Sequence, residues 1–214
     1  MSFNMSLNKL FTDLSKIILN NQKDKSDEEG HIAQSPYFCN ILSETINMLP
    51  LSQAPRVLQI GFNAGHSTLG MLKLCPNIQI VSVDLGEHGY TKPCNEYISN
   101  LFPGQHTLII GNSLEVLPKL TEQVFDIFFI DGGHQYETAF KDLENCHAIA
   151  KRGGAACVIL DDVIRFLPEA QIVSHAPYTI GPTKAWGEFL SDGKIFHLGQ
   201  FEHRNRGMAT GLFC

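Results

Sequence analysis

The chain has 214 residues, 43% of them hydrophobic, with 16 basic against 22 acidic residues and a formal net charge of −6. That length suits one domain with a sizeable core, and an acidic balance without a Lys/Arg cluster argues against nucleic acid as the main partner. Six scattered cysteines form no C-x-x-C pair, and neither a membrane-spanning run nor the apolar centre of a signal peptide is visible, so a soluble, cytoplasmic protein with reduced thiols is expected.

At the N-terminus, Phe3, Leu7, Leu10, Phe11, Leu14, Ile17 and Ile18 recur at spacings of three and four, which predicts an amphipathic helix. Packing on the domain, a homodimer through this helix, and a lid are the uses open to it. The polar stretch "NNQKDKSDEEG" reads as a solvated connector, so residues 1–30 form an appendage and residues 31–214 a single domain. "SPYFCNILSETINML" is helical in pattern, with Pro36 suited to the first turn.

From Arg56 onward, apolar strand-like runs alternate with helical ones: "RVLQI", "IQIVSVD", "HTLII", "VFDIFFID" and "AACVILDD". The intervals between them are long enough for crossover helices, which predicts a doubly wound α/β fold with a mostly parallel sheet. "KIFHLGQFE" and "GMATGLF", joined only by "HRNR", predict a C-terminal antiparallel hairpin that completes seven strands.

The turn after the first strand, "GFNAGHST", is G-x-x-x-G through Gly61 and Gly65. It is not the G-x-G-x-x-G that brings backbone amides to a pyrophosphate. The second strand ends at Asp84, roughly twenty residues on, the offset at which a carboxylate accepts from ribose hydroxyls. A nucleoside cofactor without pyrophosphate, such as S-adenosylmethionine, fits both features. Asn112 and Glu115 are spaced as a capping box, and Asn112 and Ser113 also fall where an adenine would lie.

"FFIDGGHQYE" and "VILDDV" end two buried strands in carboxylates. If these strands are neighbours, Asp131, Asp161 and Asp162 emerge at one sheet edge, where a divalent cation such as Mg²⁺ would relieve their repulsion. His134, three residues after Asp131, is placed to take a proton from an acceptor hydroxyl. Tyr136 and Glu137 are expected to begin the next helix. Trp186 is read as a helix residue packed on the sheet, with the acceptor pocket as its alternative.

The segments "VLQIGFNAGHST", "VSVDLGEH", "GNSLEVLP", "FDIFFIDGGHQYETAFKDL" and "GGAACVILDDV" resemble successive motifs of class I S-adenosylmethionine-dependent methyltransferases, over roughly residues 30 to 165. The likeness is greatest to small metal-dependent O-methyltransferases of the catechol, caffeoyl-CoA and macrolide-sugar types. It implies a Rossmann-like fold, with Gly61, Asn63, Gly65, Ser67, Asp84, Asn112, Ser113 and Asp131 at the cofactor. It also implies Asp131, Asp161 and Asp162 at Mg²⁺ or another divalent cation, and His134 with Asp131 as catalytic residues. Gln59 stands where the family's first strand usually carries an acid, and Asp162 where the catechol type has asparagine.

The activity this implies is metal-dependent O-methylation of a small molecule, such as a sugar, a catechol or another vicinal diol. The rival readings are a metal-independent N- or carboxyl-methyltransferase, a nicotinamide oxidoreductase, and a non-catalytic scaffold.

Overall fold

The computed structural model describes residues 6–22, 36–48, 54–121, 124–153, 156–166, 169–203 and 205–214. The seven strands are β1 (Arg56–Ile60), β2 (Gln79–Asp84), β3 (His106–Ile110), β4 (Ile127–Ile130), β5 (Cys157–Asp161), β6 (Ile195–His203) and β7 (Arg206–Phe213). They form one sheet in the order β3-β2-β1-β4-β5-β7-β6. β2–β3, β1–β4 and β4–β5 pair parallel, whereas β7 runs antiparallel to both β5 and β6. The doubly wound, mostly parallel sheet and its closing hairpin are thus as the sequence predicts. The chain separates into two compact units, residues 1–56 with 62–111, and 57–61 with 112–214.

In the first unit, α1 (Leu7–Asn21) begins at Ser6, whose side chain accepts from the Lys9 amide, and buries Leu10, Leu14 and Ile18. These positions are one helical face at three-to-four spacing. That face meets α3 (His66–Leu74) and α4 (Thr91–Leu101), so it is covered within the chain. Phe3, part of the predicted stripe, lies outside the described residues, as does the connector from residue 23. α2 (Pro36–Met48) starts at Pro36 and packs on α3.

In the second unit, α5 (Ser113–Val116), α6 (Tyr136–Gly153), α7 (Glu169–His175) and α8 (Ile180–Ser191) accompany β1, β4, β5 and the hairpin. β4 and β5 are buried at every position, which is why their residues read as continuous apolar runs and not as alternation. Trp186 and Phe189 of α8 are fully buried, and Trp186 lies against Gly211 of β7. The tryptophan is therefore a packing residue. The hairpin strands reach further than their apolar runs suggest, pairing as far as His203 with Arg206. No helix among the described residues is long and apolar enough to cross a membrane.

Candidate active site

In the first unit, the glycine turn is held by a single carboxylate. Oδ2 of Asp84 accepts from the amides of Phe62 and Asn63 at 2.8 Å each, and Oδ1 accepts from the Gly86 amide at 2.7 Å. Asp84 thus organises the turn's backbone directly, a use that its offset in sequence does not distinguish from ribose binding. Asn63 sits at φ 52, and its side-chain oxygen accepts from the Tyr90 hydroxyl at 2.7 Å. Gly65 takes the left-handed conformation that starts α3, and Ser67 is buried in that helix's first turn.

In the second unit, Gly61 explains the other half of the motif. Its φ is +86, and a Cβ there would lie 1.8 Å from the carbonyl oxygen of Asp131. Only glycine lets the end of β1 pass this close to the end of β4. Gln59, where the family usually has an acid, is fully buried and donates to the Gly61 carbonyl at 2.9 Å. Asn112 caps α5, accepting from the Leu114 amide at 3.0 Å, and Ser113 is the first residue of that helix.

The strand-end carboxylates do not act as an equivalent trio. Asp131, His134 and Asp162 each offer a ligand atom, and these atoms lie within 4.8 Å of one another. His134 Nε2 is 3.0 Å from Asp162 Oδ2. Asp161 instead binds the Arg206 guanidinium at 3.2 Å. Successive residues of a strand face opposite sides; the chain leaves β5 at Asp162 with φ 59, a left-handed conformation uncommon outside glycine.

Burial, then Asp161 and Asp162, hold the Asp131 carboxyl well above the ordinary carboxylate range, against the opposing pull of Arg206 and His134. Asp161 is pushed up to about 7 by burial and then by Asp162, with Arg206 pulling it back. Oδ1 of Asp161 and Oδ1 of Asp162 are buried without a hydrogen-bond partner. A hard divalent cation satisfies such a set, since oxygen ligands and added positive charge are what it lacks.

Three further residues shape this region without a local sequence signal. Arg206 comes from "HRNR", the short link between the two apolar runs of the hairpin. The Tyr178 ring lies 5.7 Å from that of His134, and its hydroxyl donates to the Asn205 carbonyl at 2.7 Å. Asp142 of α6 is completely buried. Behind His134, the start of α8 comes so near that a Cβ on Gly181 would lie 2.2 Å from the His134 carbonyl oxygen.

The strand order, the antiparallel seventh strand and the glycine turn after β1 define the Rossmann-like fold of class I methyltransferases. Residues 58–163 match the family described as a methyltransferase domain. The chain accordingly has that fold, and over these residues it is similar to methyltransferase domains.

Solved structures share the fold at low identity. A cofactor-bound protein, Rv0187 from MTB, superposes with a TM-score of 0.69 at 20% identity over 96% of this chain and 89% of its own. An O-methyltransferase from Bacillus cereus in complex with S-adenosylhomocysteine gives 0.67 at 17%, over 96% and 90%. The S-adenosylhomocysteine-bound methyltransferase PaMTH1 of Podospora anserina gives 0.67 at 14%, over 96% and 87%. No curated protein sequence matches the chain.

Proposed function

We propose that the protein transfers the methyl group of S-adenosylmethionine to a hydroxyl oxygen of a small molecule carrying neighbouring hydroxyls, with a divalent cation as a second cofactor. The observation that carries this reading is the convergence of Asp131, His134 and Asp162, with ligand atoms within 4.8 Å of one another, beside a buried carboxylate oxygen that has no partner. A methyl transfer of this kind breaks the sulfonium carbon–sulfur bond, forms a carbon–oxygen bond and releases the hydroxyl proton. Alignment of the reactants supplies much of the acceleration.

Asp131 and Asp162 would hold the cation, and Asp161 would stand beside them with its charge offset by Arg206. The bound cation supplies Lewis acidity toward the acceptor hydroxyl. His134, half-exposed and oriented by Asp162, would receive the hydroxyl proton on its imidazole. The Gly61–Gly65 turn, Ser67, the Asp84-held amides, and Asn112 and Ser113 would hold the cofactor. The B. cereus and P. anserina relatives of the same fold with S-adenosylhomocysteine bound support that cofactor.

One observation favours a second reading. Arg206 already neutralises Asp161, so the carboxylates could serve a metal-independent transfer by orienting the acceptor. A panel of vicinal diols assayed with Mg²⁺, with Mn²⁺ and with chelator separates the two. Turnover that chelation abolishes and Asp131→Ala removes is the expected result. Turnover indifferent to chelator would select the metal-independent reading, and no turnover on any hydroxyl acceptor would count against O-methylation.

A further inference from the structure

Asp161 ends β5 abreast of Asp131, because Ile130 pairs with Leu160 across β4 and β5, and Asp162 follows at once. Asp161 and Asp162 are 3% and 4% exposed, and each has one oxygen, Oδ1, buried without a hydrogen-bond partner. Three acidic side chains thus meet at the strand ends, and one positive charge is built in beside them. Met208 of β7 stands opposite Asp161, and Arg206, two residues away, projects from the same face of that strand. From this diagonal place a long side chain reaches back across the pair, and the Arg206 guanidinium meets Asp161 Oδ2 at 3.2 Å. Side-chain exposures of 20% for Arg206 and 2% for Asp161 keep the contact away from open solvent, where charge is weakly screened.

A guanidinium keeps its proton throughout the working pH range, so the charge of Arg206 is a fixed part of the site. With His134 in the neutral form that a base requires, the ionised carboxylates of Asp131, Asp161 and Asp162 and the one arginine leave two negative charges. A divalent ion cancels them, and a buried cluster is least costly when its charges cancel. Without Arg206 the deficit would be three, so that a divalent ion would leave the loaded site negative. That remaining charge would oppose the negative charge that builds on an acceptor oxygen as its proton leaves. We propose that Arg206 sets the site's choice of ion charge, matching it to a divalent cation by offsetting Asp161. The inference rests on the cation reading proposed above, and it assigns selection of the ion to a residue of the C-terminal hairpin.

The test is calorimetric titration of the full-length protein with Ca²⁺ and with Tb³⁺, two oxygen-seeking ions of nearly equal radius that differ in charge, at a single pH in a non-coordinating buffer. The ratio of the two affinities cancels the protons that either ion displaces and leaves the effect of charge. Arg206→Met should raise the ratio in favour of Tb³⁺ by about tenfold or more, the scale of one nearby unit charge at an effective dielectric constant of about 20. Arg206→Lys, which keeps the charge without the guanidinium, should hold the wild-type ratio. Asp161→Asn should shift the ratio toward Ca²⁺, and the double variant Arg206→Met with Asp161→Asn, which loses one charge of each sign, should return it to the wild-type value. Thermal melts verify that each variant is folded, and Asp161→Asn carries the test if Arg206→Met does not fold. An unchanged ratio in either folded single variant, or an Arg206→Lys ratio that follows Arg206→Met, would overturn the proposal while leaving the cation reading standing. A double variant that binds neither ion would overturn it too, by making Asp161 a ligand. Wild-type protein that binds neither ion would overturn the cation reading itself, and the proposal with it.

Discussion

Replacing Gly61 with alanine tests how the end of β1 supports the Asp131 turn. The added Cβ would stand 1.8 Å from the Asp131 carbonyl oxygen and 2.7 Å from its carbon, where ordinary contact begins at 3.4 Å. The obstacle is backbone, held in place by the Asp131 amide donating to the Ile60 carbonyl at 2.9 Å, so it cannot rotate aside as a side chain would. A left-handed backbone costs an L-residue about 1–2 kcal/mol, and forcing atoms into filled space adds roughly 1–3 kcal/mol. For a chain of this size each kcal/mol lowers Tm by about 2–4 °C, so the expected fall is roughly 4–20 °C. Gly104→Ala is the control, because Gly104 also has positive φ, +76, but nothing within 4 Å of its added Cβ. It should lose only the backbone part, about 1–2 kcal/mol. Melts of both variants by circular dichroism measure the difference. If Gly61→Ala melts no lower than Gly104→Ala, the close approach of β1 to the Asp131 turn is not what requires glycine there.

Arg206→Met should destabilise the fold by about 3–5 kcal/mol, since it leaves Asp161 buried and unpaired; in urea melts Asp161→Asn in the same chain should recover much of the loss, and full additivity of the two changes would count against the pair. Asp131 and Asp161 have folded pKa values raised above their unfolded ones, so the native state binds the extra protons and stability falls as pH rises from about 4 toward 7. A cation competes with those protons, so Mg²⁺ or Mn²⁺ should raise Tm more at pH 8 than at pH 5; an equal rise at both would mean that these carboxylates do not bind the ion. His134→Gln should lower kcat by about 10²–10⁴-fold with S-adenosylhomocysteine affinity unchanged, and a proportionate loss of affinity instead would make the histidine a binding residue.

The sequence discloses what is periodic and local. β1 is Arg56–Ile60 as its apolar run suggests, and α6 begins at Tyr136. α1 buries Leu10, Leu14 and Ile18, each within the predicted stripe. The site was legible as strand ends, because open α/β sheets place ligands there, but the allocation of its charges was not. Asp161 and Asp162 are adjacent in sequence, and only the left-handed backbone at Asp162 decides how the chain leaves β5. The partner of Asp161 arrives from 45 residues away through the antiparallel pairing of β5 with β7, a contact that no local pattern encodes. The places of Asp84 and Asp142 in the fold were not legible in the sequence, for opposite reasons. The first has a spacing that fits ribose binding as well as amide capping. The second is a charged residue on a helix, where exposure is the ordinary expectation.

The account depends most directly on the cofactor, and calorimetric titration of the purified protein with S-adenosylhomocysteine, with Mg²⁺ and with chelator, tests it. Micromolar binding under both conditions is the predicted result, with loss of affinity in Asp84→Ala, whose turn amides would lose their acceptor. Absence of binding with metal and without it would contradict the account, and would return a nicotinamide enzyme or a scaffold with this fold to first consideration.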